Sequence, residues 1–147
     1  MNLRIENFKK VLIPIDGSDY SMRAAELGIS VAKLLDAEIT FLYVIDTVVL
    51  EQITKITARD DVESDLKKDG EMYLKYVRGL AEKENMRTKT LLLKGRPFEQ
   101  IVHLAKSLET NLIVMGTYGR KGAERILIGS VAERVIEYAS CPVLVVR

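Results

Sequence analysis

Val114-Met115-Gly116-Thr117-Tyr118-Gly119, followed after nine further residues by Gly129-Ser130-Val131-Ala132-Glu133-Arg134, reads as a strand running out into glycines, a long loop and a helix that opens on Gly-Ser. A helix N-terminus carries unpaired N–H groups and a partial positive charge, so it is a seat for an anion. Glycines beside it let a phosphate approach the backbone with no side chain in the way. Gly116 and Gly119 alone would read as turn chemistry, and it is the third glycine, at the mouth of the next helix, that points to a ligand. Ser130 suits two compatible roles, capping its helix and binding a phosphate oxygen. Strand-to-helix connections usually span about two to six residues, and longer ones in compact domains tend to be functional. Arg120, Lys121 and Arg125 against Glu124 leave this one net positive.

Working outward, Val11-Leu12-Ile13-Pro14-Ile15 is a continuous apolar run, as expected of a strand covered on both faces. Asp16-Gly17-Ser18-Asp19 supplies a turn and several helix caps. Ala24, Leu27, Gly28, Val31 and Leu35 then recur at helical spacing, predicting a helix that ends near Asp36. Ile39 to Ile45 is a second buried strand. Asp46 to Arg59 mixes apolar residues with threonines, shows no clear period, and reads as a loop with room for one helical turn. From Asp60 onward, Val62, Leu66, Tyr73, Val77, Leu80 and Ala81 define a long second helix. Thr88 to Lys94 is a third strand, and Gly95-Arg96-Pro97 starts a helix with Phe98, Ile101, Val102 and Ala105 inward. Leu112 to Met115, Ser130 to Ala139 and Pro142 to Val146 follow as a fourth strand, a fourth helix and a fifth strand.

Strands alternating with helices predict an α/β fold, a parallel sheet with right-handed crossovers and helices on both faces. Ligands of such sheets bind at the carboxyl ends of the strands, where the winding direction reverses. Two strand ends carry unusual chemistry here, Asp16-Gly17-Ser18 after the first and Gly116-Thr117-Tyr118-Gly119 after the fourth. If those strands are neighbours, the crevice between them is the site.

The 147 residues fit one domain, 1–147, and a formal net charge of +1 provides no global field for nucleic acid or an anionic membrane. Affinity for phosphate must therefore be local. The one cysteine, Cys141, excludes an internal disulfide and reads as a small buried residue before a proline. Met1 to Lys10 lacks the apolar core of a signal peptide, and no apolar run approaches the roughly 20 residues needed to cross a bilayer. A soluble, cytoplasmic protein is expected. His103, the single histidine, reads as a solvated surface residue, and one Cys with one His cannot build a zinc site. Neither G-x4-G-K-[S/T] nor a G-x-G-x-x-G after the first strand is present.

The pattern G-x2-G-x9-G-[S/T], with Pro14-Ile15-Asp16-Gly17-Ser18, Tyr43-Val44-Ile45-Asp46 and the ending Cys141-Pro142-Val143-Leu144-Val145-Val146, resembles the universal stress protein family over nearly the whole chain. The glycine spacing matches the branch of that family that binds ATP. The resemblance implies an open five-stranded parallel sheet in the order 3-2-1-4-5, Rossmann-like and similar to the adenine nucleotide alpha hydrolases, and a homodimer. Carried over by position, it implies that Asp16 meets the ribose or adenine side and that Pro14 lines the pocket. Val44 would meet adenine through its backbone, and Met115 and Gly116 would lie under the ribose and phosphates. Gly119, Gly129, Ser130 and Val131 would hold the triphosphate, with Arg120 a weaker phosphate candidate at an unspecified position of the motif. Asp16 fits capping of the first helix equally well on its own chemistry.

A divalent ion such as Mg or Mn would sit on the triphosphate, held mainly by ligand oxygens and water. Hydrolysis needs a residue that orients water, and none is evident. The expected function is thus an ATP-binding regulatory dimer of the stress response with little or no turnover. The alternatives are a slow ATPase switch and a dimeric interaction module without turnover. Val143, Leu144, Val145 and Val146, apolar throughout, form a bare edge that invites a second chain, and the resemblance makes this strand the dimer contact.

Overall fold

A computed structural model describes residues 3–118 and 128–147. After a single 3-10 turn, Ile5–Asn7, the chain runs β1 (Lys10–Ile15), α1 (Asp19–Leu35), β2 (Glu38–Asp46), α2 (Thr47–Thr57), α3 (Val62–Lys83) and β3 (Thr88–Gly95). It continues through α4 (Pro97–Ser107), β4 (Leu112–Gly116), α5 (Ser130–Tyr138) and β5 (Val143–Val146). The five strands form one parallel sheet in the order β3-β2-β1-β4-β5.

The sheet is buried on both faces because its central strands are largely apolar, and alternate residues feed opposite cores. Val11, Ile13 and Ile15 face α1 and α3, packing with Phe41, Ile29 and Val77. Leu12 faces the other way, where Leu42, Ile113 and Met115 meet Ile101 of α4 and Val135 of α5. Lys9 and Lys10 donate their backbone N–H groups to Asn111 Oδ1 at 2.9 and 2.8 Å, which ties the start of β1 to the approach to β4.

The segment read from sequence as a loop, Asp46 to Arg59, is instead the eleven-residue helix α2. Asp46 caps it, with Oδ1 accepting from Val48 N at 2.9 Å and Val49 N at 3.4 Å. Such a cap contributes about 1 kcal/mol. Val49, Leu50 and Ile53 form a half-buried stripe at helical spacing, while Val48 and Ile56 are exposed. Those two outward apolar residues hid the period, and packing on α3 and β2 outweighs the poor helix propensity of the threonines.

Candidate functional site

β1 is the strand at which the winding reverses, since the chain adds β2 on one side of it and β4 on the other. β1 and β2 pair from Lys10↔Glu38 to Ile15↔Tyr43, whereas β1 and β4 pair only at Val11↔Leu112 and Leu12↔Ile113. Beyond the last β1–β4 pair a crevice opens at the carboxyl ends of the strands, where ligands of doubly wound sheets sit. It holds a cavity of about 370 Å³, within the range of roughly 300–1,000 Å³ usual for small-molecule sites.

The cavity gathers residues far apart in sequence. Pro14 and Asp16 come from the end of β1, Val44 from β2, Met115 and Gly116 from β4, and Ser130 and Val131 from the first turn of α5. Seven of the residues singled out from the sequence thus share one wall system. Gly129 lies immediately before α5, and its N–H donates to the carbonyl of Thr117. Gly119 and Arg120, together with Lys121 and Arg125, lie outside the described residues.

Three local assignments change. Asp16 is not the cap of α1: Ser18 is, its hydroxyl accepting from Ser21 N at 3.2 Å. Asp16 closes the turn just before, with Oδ1 accepting from Ser18 N at 2.9 Å, which leaves its carboxylate on the cavity wall. Ser130 does not cap α5 either, because Gly129 occupies the cap position and Ser130 is the first helical residue. A capping hydroxyl must precede the helix, so among the described residues the leading N–H groups of α5 have no side-chain cap. The third change concerns Gly116. A Cβ there would stand 2.8 Å from the carbonyl carbon of Tyr20 and 3.0 Å from Ser21 N, so the close packing of α1 on β4 already demands glycine. Gly129 is likewise confined, since a Cβ would lie 2.7 Å from the Thr117 carbonyl oxygen.

Several wall residues carry no ligand signal in the sequence. Asp46 caps α2 and Val49 lies within that helix, whose period is obscured, and Pro97 has the signature of a helix start. Thr117 and Tyr118 lie between the glycines of the opening stretch, with no pattern of their own. The Tyr118 ring meets Tyr20 edge-on at 5.0 Å between centroids, and Arg23 lies 5.3 Å from the centre of the Tyr20 ring. Elsewhere, Cys141 is buried and desolvation pushes its thiol above the usual range, which makes it a poor nucleophile. His103 is exposed on α4. Among the described residues no cluster of three or more His, Cys, Asp or Glu side chains is arranged to hold a metal ion, and no helix is long and apolar enough to cross a membrane.

The cavity wall combines two chemistries. Pro14, Val44, Val49 and Leu66 offer apolar contact suited to a flat ring, and the start of α5 offers N–H groups suited to an anion. Fold and crevice together define a doubly wound α/β protein with a switch-point ligand cavity. The sequence profile of the Universal stress protein family matches residues 7–147, and the chain belongs to that family. A universal stress protein of Methanocaldococcus jannaschii is 44% identical over 140 residues, spanning 95% of this chain and 82% of the relative. Universal stress protein YxiE of Bacillus subtilis is 32% identical, over 95% of this chain and 99% of its own. Among solved structures, UspA of Lactobacillus plantarum superposes with a TM-score of 0.74 at 28% identity, covering 99% of this chain and 100% of that one. More distant members share the fold, among them one solved with cAMP at 22% identity and one from Archaeoglobus fulgidus solved with dAMP at 21%, both with a TM-score of 0.68.

Proposed function

We propose that this protein is a cytoplasmic, ATP-binding regulatory protein of the stress response that acts as a homodimer and turns its nucleotide over little or not at all. The observation that carries the reading is the cavity itself, which joins apolar walls at Val44 and Val49 to the start of α5, whose cap residue is a glycine, across the switch point. A base fits the first and a phosphate chain the second. The two family structures solved with cAMP and dAMP lend support to an adenylate guest, and the G-x2-G-x9-G-S spacing extends it to a triphosphate. In this reading Asp16 attends the ribose or adenine side with Pro14 lining the pocket, Met115 and Gly116 lie under the ribose and phosphates, and Gly119, Gly129, Ser130 and Val131 hold the triphosphate, with Arg120 a weaker phosphate contact. A Mg or Mn ion would ride on the phosphate oxygens and water.

A ligand stabilises the state it binds, by about 2.7 kcal/mol at a hundredfold excess over Kd. For a chain of this size that corresponds to a rise in Tm of roughly 5–10 °C. A thermal-shift panel of ATP, ADP, AMP, GTP and cyclic nucleotides, with and without magnesium, is expected to show ATP at the top. No shift with any adenine nucleotide would remove the proposal, and steady phosphate release from ATP would move it to an ATPase switch.

In this reading the dimer contact is β5, which among the described residues pairs only with β4 and whose Leu144 is exposed. An unpaired apolar edge is stabilised by a second chain. Leu144→Lys is expected to convert a dimer to monomer in sedimentation velocity without loss of helical signal. A variant that stays dimeric would put the interface elsewhere.

A further inference from the structure

We propose that the hydroxyl of Thr117 is a direct contact for the phosphate chain of the bound nucleotide, a role that rests on the nucleotide reading above and adds to the glycine motif a side chain the motif leaves unspecified. Thr117 is the first residue beyond β4 and is 5% exposed. Its backbone is fully engaged, the N–H donating to Val146 O at 2.9 Å and the carbonyl accepting from Gly129 N. Its Oγ1 is buried with no hydrogen-bond partner among the described residues. A buried polar atom in that condition costs stability, and valine would fill the same volume without the cost. The hydroxyl therefore stands where the fold alone would favour a methyl group.

Its location says what would satisfy it. Thr117 lines the cavity, and its carbonyl is bonded to the residue that caps α5. Thr117 is thus tied to the start of α5, whose leading N–H groups favour an anion, and its hydroxyl can donate to a phosphate oxygen in a charge-assisted bond. The apolar walls that suit a base come from other elements, β2 and α2 among them. Thr117 accordingly senses phosphate and not the nucleoside.

The test compares Thr117→Val and Thr117→Ser with the wild-type chain, titrating ATP, ADP, AMP and adenosine by calorimetry and recording the ligand-free melting of each. Thr117→Val is expected to bind ATP about tenfold more weakly, the loss of one hydrogen bond to a charged group. Its affinity for adenosine should stay within about twofold of wild type, Thr117→Ser should recover most of the ATP affinity, and the ligand-free Tm of Thr117→Val should be unchanged or higher. Wild-type ATP affinity in Thr117→Val overturns the assignment, and so does an equal loss for adenosine. Early melting of Thr117→Val that serine restores also overturns it, because the hydroxyl would then be bonded inside the protein. These outcomes leave the nucleotide reading standing; a wild-type chain that binds none of the four compounds removes both.

Discussion

Gly116→Ala is expected to destabilise the ligand-free protein by about 1–3 kcal/mol, the usual cost of forcing a methylene into a packed interior. The new Cβ would stand 2.8 Å from the Tyr20 carbonyl carbon, 2.9 Å from Tyr20 Cβ and 3.0 Å from Ser21 N. Two of those three atoms are backbone in the first turn of α1, so no side-chain rotation relieves the contact. That turn is held by the Ser18 cap and by Ser21 Oγ, which donates to Ser18 O at 2.9 Å. The helix must shift as a body or the end of β4 must bend, and either movement disturbs the cavity wall. Chemical denaturation without nucleotide is the discriminating measurement. Unchanged stability with weakened ATP binding would show that Gly116 serves the ligand alone and that α1 yields freely.

Phe41→Ala should have the largest effect on stability, about 3–5 kcal/mol, through lost burial and the cavity left behind. Phe41 is the largest of the fully buried side chains and sits on β2 beside the central strand, paired with Ile13. A domain's total stability is about 5–15 kcal/mol, so the variant should melt roughly 10 °C or more below wild type. The packing predicts a separation of effects. Phe41 does not itself line the cavity; Ile15, Tyr43 and Ile45 of the wall share its core under α1 and α3, while Leu42 and Met115 of the wall belong to the core under α4 and α5. Below its melting point, Phe41→Ala should therefore bind nucleotide with close to wild-type affinity. A loss under about 1 kcal/mol would mean that the surrounding helices collapse onto the gap.

Five apolar runs and the helical stripes between them were legible because each is a local pattern, spaced at two or about 3.6 residues. The strands were recovered to within a residue or so at their ends. The failure at α2 has a physical source: its cap, Asp46, belongs also to the end of β2, and its inward stripe of Val49, Leu50 and Ile53 is interrupted by exposed Val48 and Ile56. Seven of the ten residues named for the site line one cavity. The glycine spacing points to ligand chemistry, yet two of the glycines, Gly116 and Gly129, are already required by contacts with Tyr20 and Thr117.

The order of residues by itself determined the element types, the parallel alternation of strand and helix, and the family. Those features depend on neighbours within a turn or two of chain. The resemblance already implied a sheet order that sets β1 beside β4; only the tertiary structure decided that Ser18 and Gly129 rather than Asp16 and Ser130 hold the cap positions, and that Thr117 Oγ1 is buried without a partner among the described residues. Each of these turns on which atoms approach across a fold, and the solvation of one hydroxyl is set by groups brought together only when the sheet closes.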